Sequence, residues 1–365
     1  MKTIGHWVGA VVLWYVAIGG AAICIAADGG SPASNDDAPE ISSSSDSDTL
    51  GAIRDAQVEA ASASSVIEDA GDCWDSDLLS RCCRCNQSAW ILSGGALFLH
   101  RSRPDPTTIL APSSGPGALM TGSNFGFNWN SGPLLSIARR TSCGLIFEGR
   151  YFNDRDATAN YELNNVTTFR AAGIGVTILG GGSIWGTYRT QLDSTEFNML
   201  APLGDRVSLI GGFRAVQLHD QLNLTIASPG IITNWNENNR LYGAQTGINL
   251  NLFQPGRALQ FNGSLKAGLF SNGATNIFTS SLVSGARSSG SANAFVGELN
   301  FTASYRITQR WSVTGGYMVL WLDGLALADR AAAHTTQVAG GSSSPVNLHG
   351  DLWYNGALVS LNYVW

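Results

Sequence analysis

Residues 295–322 read FVGELNFTASYRITQRWSVTGGYMVLWL, and their period is two. From Phe295 to Ile307 one face carries Phe295, Leu299, Phe301, Ala303, Tyr305 and Ile307, the other Glu298, Asn300, Thr302, Ser304 and Arg306. From Trp311 to Leu322 the alternation resumes, with Trp311, Val313, Tyr317, Val319 and Trp321 on one face. Successive side chains of a strand point to opposite faces of its sheet, so each run predicts a strand with one apolar and one polar face. Only residues 308–310 separate the two, which predicts a tight antiparallel reversal. Both runs are about twice as long as the roughly six-residue strand common in soluble sheets.

The same pattern extends in both directions. Strands are predicted over 90–101, 133–140, 143–152, 184–199, 206–219, 239–253, 257–271, 292–307, 311–323 and 352–365. In 257–271, Leu259, Phe261, Leu265, Ala267 and Leu269 oppose Gln260, Asn262, Ser264 and Lys266. The connections alternate long and short: 102–132, 141–142, 153–183, 200–205, 220–238, 254–256, 272–291, 308–310 and 324–351. Long loops on one side and tight turns on the other are the layout of a transmembrane up-and-down barrel, whose short turns face the periplasm. Pro255-Gly256 and Pro202 with Gly204 fall in the short connections, where the chain must reverse. The expected fold is therefore all-β: a transmembrane antiparallel barrel of about ten strands, with roughly eight to twelve compatible with the pattern.

Composition agrees. The 365 residues include 43 glycines and 11 tryptophans, only 13% are charged, and the net charge is −6. Mean hydropathy is nevertheless close to zero, at +0.04. A helical membrane protein should show several apolar runs of about 20 residues, and beyond the N-terminal region the sequence has none. Strands that alternate between lipid and lumen average to zero.

The charge is unevenly placed. Residues 28–77 hold 13 acidic residues against Arg54, a net of −12, while residues 78–365 carry 19 bases and 14 acids, a net of +5. No basic run is long enough to suggest nucleic-acid binding. Residues 1–27 read as an export signal, with Lys2, an apolar stretch from Trp7 to Ile18 and small residues to Ala27. An uncleaved membrane anchor is the alternative. Residues 28–86 read as an acidic, Ser-rich disordered linker with a cysteine cluster, too poor in apolar residues to offset chain entropy. The barrel is expected over 87–365.

The final strand carries an assembly signal. Ala357, Val359, Leu361, Tyr363 and Trp365 alternate on one face and end in an aromatic. The pattern resembles the targeting strand that the barrel assembly machinery recognises in bacterial outer-membrane proteins. Two inner stretches, DRVSLIGGFRAVQLHDQL at 205–222 and NNRLYGAQTG at 238–247, carry a narrower resemblance. They look like segments of the planctomycete-type outer-membrane β-barrel porin family. That family also tends to have a Cys-containing segment before a first Trp-led strand, as at Cys73 to Trp90, and an Arg-Tyr-Phe element like Arg150-Tyr151-Phe152. The resemblance covers roughly 73–365 and implies a barrel in the cell outer membrane, with no catalytic residues or substrate to carry over.

If apolar faces meet lipid, parity sends Glu148, Arg150, Arg189, Arg206, Arg214, Lys266, Glu298 and Arg306 into the lumen. Six cations against two carboxylates predict a positive interior that favours anions if a water path exists. The alternative is a plug in which these charges pair. Trp90, Trp185, Trp311 and Trp353, with Tyr151, Tyr188, Tyr242 and Tyr354, lie near strand ends and are expected to form aromatic girdles at the headgroups.

Beyond Cys24 in the signal region, Cys73, Cys82, Cys83, Cys85 and Cys143 are candidates for disulfides, the default in an exported protein. Cys82 and Cys85 have CxxC spacing but lack the second half of a zinc site, so no metal and no cofactor are expected. His219-Asp220 at a strand end has no serine placed beside it, and an enzyme is not expected. The expected function is a porin or a structural envelope protein with a cationic lumen. The alternative is a cell-surface binding or adhesion protein that uses long loops on a barrel anchor. Outer-membrane lipid and the barrel assembly machinery are the expected partners.

Overall fold

The computed structural model describes residues 88–365 apart from 143, 172–176, 257 and 340. The expected signal peptide, the linker and all of Cys73, Cys82, Cys83, Cys85 and Cys143 therefore lie outside the described residues.

Ten long antiparallel strands form the wall: β1 (Ala89–Arg101), β2 (Asn130–Arg140), β3 (Ile146–Ala171), β4 (Thr177–Pro202), β5 (Val207–Ile226), β6 (Ile231–Phe253), β7 (Leu259–Ser280), β8 (Ala286–Arg306), β9 (Trp311–Leu325) and β10 (Gly350–Val364). Each pairs with its sequence neighbour, and β1 pairs with β10 from Ile91↔Val364 to Arg101↔Tyr354, which closes the barrel. Closure leaves no unpaired edge, which a sheet in lipid requires.

The outward faces define the membrane band. Leu252 to Tyr242 on β6, Leu259 to Leu269 on β7, Tyr305 to Phe295 on β8 and Trp311 to Trp321 on β9 are predominantly apolar and largely exposed. At strand rise and tilt, such a run spans about 25 Å, the height of the lipid-facing band of outer-membrane barrels. Aromatic pairs mark both limits. Trp90 stacks on Trp365 at 6.4 Å and Trp311 lies 4.7 Å from Tyr363 at the short-turn end, while Trp321 stacks on Trp353 at 5.3 Å at the other. Ala357, Val359, Leu361, Tyr363 and Trp365 all face outward within this band.

The strands do not stop there. β3 to β8 run 20–26 residues, about twice what a tilted crossing needs. Above the band the two faces exchange character. On β5 the outward residues change from Leu209, Phe213 and Ala215 to Gln217, His219, Gln221 and Asn223, while Leu218, Leu222, Leu224 and Ile226 point inward. On β6 the outward Asn234, Asn236 and Asn238 alternate with inward Trp235 and Glu237. The part beyond the membrane is thus built like a water-soluble barrel, apolar within and polar without.

This corrects the expected loops. The connections expected over 153–183, 220–238 and 272–291 are mostly strand: β3 runs to Ala171 and β4 starts at Thr177, and short reversals remain at 227–230 and 281–285. Only 102–129 and 326–349 remain long, and both fold into the barrel mouth. Ile109, Leu110, Met120, Phe125 and Phe127 of the first pack with Tyr188, Trp235 and Phe278 of the wall, together with Ala328, Ala331 and Ala332 of a short helix, Ala328–His334.

The girdle expectation is corrected at three positions. Tyr188 and Tyr354 have inward parity and are fully buried, and Trp185 stands on β4 far above the band.

Some of the glycine content reflects the crowded interior. A Cβ at Gly95 would stand 2.0 Å from the Val359 carbonyl oxygen, and one at Gly356 1.9 Å from that of Phe98. At these inward positions only glycine lets neighbouring strands approach so closely.

Candidate functional site

The lumen is layered. At the short-turn end lies a cavity of about 120 Å³ lined by hydroxyl and amide side chains, among them Ser93, Ser136, Asn262, Ser264, Thr314 and Asn362. Asn362 Nδ2 donates to Thr314 Oγ1 at 2.9 Å, and Ser304 and Thr314 bond each other. Such a chamber has room and partners for several waters.

Its roof is an ion network. Register sets Arg150, Glu196 and Arg214 side by side on β3, β4 and β5, and Lys266 beside Glu298 on β7 and β8. Their side chains then meet across the lumen. Glu298 accepts from Arg150 Nη1 at 2.6 Å and from Arg214 Nη1 at 2.7 Å, and Lys266 Nζ reaches Glu196 at 2.7 Å and Glu298 at 2.8 Å. Arg150 and Arg214 lie 3.4 and 3.6 Å from Glu196. Both carboxylates and Arg214 are fully buried. Phe152 receives the two guanidiniums on its ring at 5.3 and 5.5 Å. Beside the network, Glu148 lines the cavity and accepts a 3.4 Å bond from Asn198.

Of the expected lumen charges, Glu148, Arg150, Arg214, Lys266 and Glu298 are brought together here. Arg306 ends β8 with inward parity at the short-turn mouth. Arg189 is exposed, because it shares the outward parity of Phe197 and Met199; Glu196, on the opposite face of the same strand, takes its place. Arg206 lies in the exposed 203–206 turn. The mid-barrel charge is therefore balanced, three cations against Glu148, Glu196 and Glu298, rather than cationic as expected.

Above the network the lumen is apolar. Leu192, Val216, Leu218, Leu241, Phe270 and Leu320 converge from six strands with Phe152 and Met318. Burial of this many side chains, at about 25 cal/mol per Å², packs the interior at the upper edge of the membrane band.

A second polar layer pins the 326–349 connection. Arg101 Nη1 lies 2.6 Å from Asp220, whose other oxygen accepts from Tyr188 at 2.6 Å and from the Ala328 amide at 3.0 Å. Asn239 clasps the Ala326 backbone, donating to its carbonyl at 2.8 Å and accepting from its amide at 2.7 Å. Trp235 donates to Thr335 at 2.8 Å. Asp329, on the short helix, lies 3.0 Å from the Tyr188 hydroxyl; burial, reinforced by the Asp220 charge, pushes its carboxyl up to about 6. Glu237 is fully buried with neither carboxylate oxygen hydrogen-bonded among the described residues. His219 points outward from this layer, in register with Gln191 and Asn238.

No family model matches the chain, and no curated protein does. Solved structures match its fold at low identity. The outer membrane protease OmpT from Escherichia coli is 10% identical over 76% of this chain and 96% of its own, with a TM-score of 0.46. The toluene transporter TodX of P. putida is 8% identical over 77% and 90%, with a TM-score of 0.30. The attachment invasion locus protein Ail of Yersinia pestis is 8% identical over 77% and 100%, with a TM-score of 0.25. The closed ten-strand wall, the lipid-facing band and its paired aromatic girdles make the chain an outer-membrane β-barrel protein.

Proposed function

We propose that this protein is a surface structural barrel: a closed, non-conducting anchor that carries a rigid polar platform above the outer membrane. The observation that carries the reading is the ion network of Arg150, Arg214, Lys266, Glu196 and Glu298, whose bonds cross the lumen beneath a continuous apolar layer. A solute would have to part six buried ion contacts and then traverse packed leucines, a desolvation that no water-filled path relieves. The platform is supported by the outward Gln and Asn side chains of β5 and β6 beyond the band. No catalytic role is assigned, since His219 points to the outside with amide neighbours. Export by residues 1–27, and insertion by the barrel assembly machinery through the Ala357–Trp365 face, belong to the same reading and rest on their sequence patterns. So does kinship with the planctomycete-type barrels, which rests on the short segments at 205–222 and 238–247.

Single-channel recording in planar bilayers tests it. After insertion is verified by heat-modifiable migration, a silent bilayer is expected; stepwise conductance in the unmodified protein would overturn the reading in favour of a porin.

A further inference from the structure

The chamber beneath the ion network is a dead end. Upward it stops at Arg150, Lys266 and the apolar layer, and sideways at the strand wall, so a solute enters it from the short-turn side. Its volume is about 120 Å³. At ~15–30 Å³ per water that is room for roughly four to eight water-sized groups, the size of a three- or four-carbon polyol.

The lining holds more hydrogen-bonding capacity than the protein uses. Glu148 is half-buried, and the 3.4 Å bond from Asn198 is the one hydrogen bond it accepts among the described residues. Lys266 Nζ has three protons and meets two carboxylates, Glu196 and Glu298. Asn262 and Asn300 are diagonal neighbours on β7 and β8, through the register pairs Asn262↔Thr302 and Asn300↔Ser264. Both side chains line the chamber, and among the described residues Asn262 Nδ2 and Asn300 Oδ1 have no hydrogen-bond partner. A buried amide left unmatched costs stability that a leucine of the same shape would not. The charges, by contrast, are spent on one another. Three cations face Glu148, Glu196 and Glu298, so no net field draws an ion into the chamber.

We propose that this chamber binds a small neutral polyol, a molecule of three or four carbons with a hydroxyl on each. A hydroxyl donates and accepts at once, so neighbouring hydroxyls on one short chain answer both kinds of unmet group in the lining. An ion would find no net counter-charge there, and an apolar solute would strand the same polar groups. The inference goes beyond the anchoring role. A pocket closed above needs no path through the barrel, so a silent bilayer is compatible with a filled chamber, and the binding result stands apart from the conductance result.

The probe is erythritol, added to the full-length protein in micelles of dodecyldimethylamine oxide, whose headgroup carries no hydroxyl. Binding is read by saturation-transfer NMR against a heat-unfolded blank, and a saturable signal, half-maximal in the millimolar range, is expected. Dimethoxyethane, a small ether that accepts hydrogen bonds and cannot donate them, is expected to bind the unmodified protein about tenfold more weakly, because it leaves Glu148 and Asn300 unmatched. Glycine, a zwitterion of similar size, is expected to bind more weakly than erythritol. Asn262→Leu keeps the side-chain shape and is expected to weaken erythritol about tenfold, with its folding confirmed by heat-modifiable migration. No saturable erythritol signal would mean that the chamber holds water alone and would overturn the proposal. So would dimethoxyethane or glycine binding as tightly as erythritol, or an unchanged affinity in folded Asn262→Leu; should that variant fail to fold, the comparison of erythritol with the ether decides.

Discussion

Glu298 on β8 accepts a hydrogen bond from Arg214 on β5 at 2.7 Å, and the two strands stand on different sides of the lumen. The bond is possible because a ten-strand barrel is narrow enough for a glutamate and an arginine to meet across it. Glu298 also holds Arg150 and Lys266, so one carboxylate gathers three cations from the far and near walls. Removing it leaves buried cations without their main counter-charge. Glu298→Ala is expected to destabilise the barrel by about 3–5 kcal/mol. The measurement is the temperature at which the folded band disappears in heat-modifiable gels, and an unchanged temperature would show that the network contributes nothing.

The exchange of faces along β5 places the upper membrane limit between Ala215 and Gln221. Phe213→Arg, near the middle of the band, is expected to cost about 2–4 kcal/mol and to reduce insertion into vesicles, while Gln221→Arg is expected to cost less than about 1 kcal/mol. Equal insertion of the two variants would place the limit elsewhere.

Asn239 binds both polar groups of the Ala326 backbone. Asn239→Ala strands a buried amide and a buried carbonyl, at a cost of about 1–3 kcal/mol. Limited proteolysis within 335–349 is expected to accelerate, while the melting of the wall changes little. Unaltered cleavage would mean that the short helix is held by its apolar contacts alone.

Asp329 links the docking of the same helix to pH. Its carboxyl is raised from 3.8 to about 6 in the folded protein, first by burial and then by Asp220. A folded-state pKa above the unfolded value means that the folded form binds the proton more tightly. Its contribution is fully present below about pH 4 and is lost as pH rises through about 6. The protection factors of the Ala328 and Ala331 amides, corrected for intrinsic exchange, are expected to fall roughly tenfold or more between pH 4 and pH 7.5. In Asp329→Asn the profile should be flat over this range.

The lower half of the wall was legible from alternation because lipid demands apolar residues on one face and the lumen supplied polar ones. Trp311 to Leu322 and the Ala357–Trp365 face satisfy that rule at nearly every position. The upper half kept the period and reversed its meaning. Asn234, Asn236 and Asn238 look like a polar loop until Trp235 is seen to be an inward core residue. The site was half legible for the same reason. Arg189 fixed the expected phase of its strand on the wrong face, which hid Glu196; Phe197 and Met199, both odd-numbered and apolar, held the correct phase. The inward folding of 102–129 and 326–349 has no periodic signal, since Phe125, Phe127 and Ala328 are buried by tertiary packing rather than by a regular face.

The reversal of faces also means that one wall lives under two solvents. Within the band, stability comes from satisfied backbone groups in lipid, which urea barely reaches. Beyond it, stability comes from the water-driven packing of Phe125, Trp235, Phe278 and their neighbours, which urea weakens in proportion to the surface it exposes. Denaturant should therefore unzip the molecule from the outside inward, with the ion network around Glu298 as the lowest floor that the aqueous regime can reach.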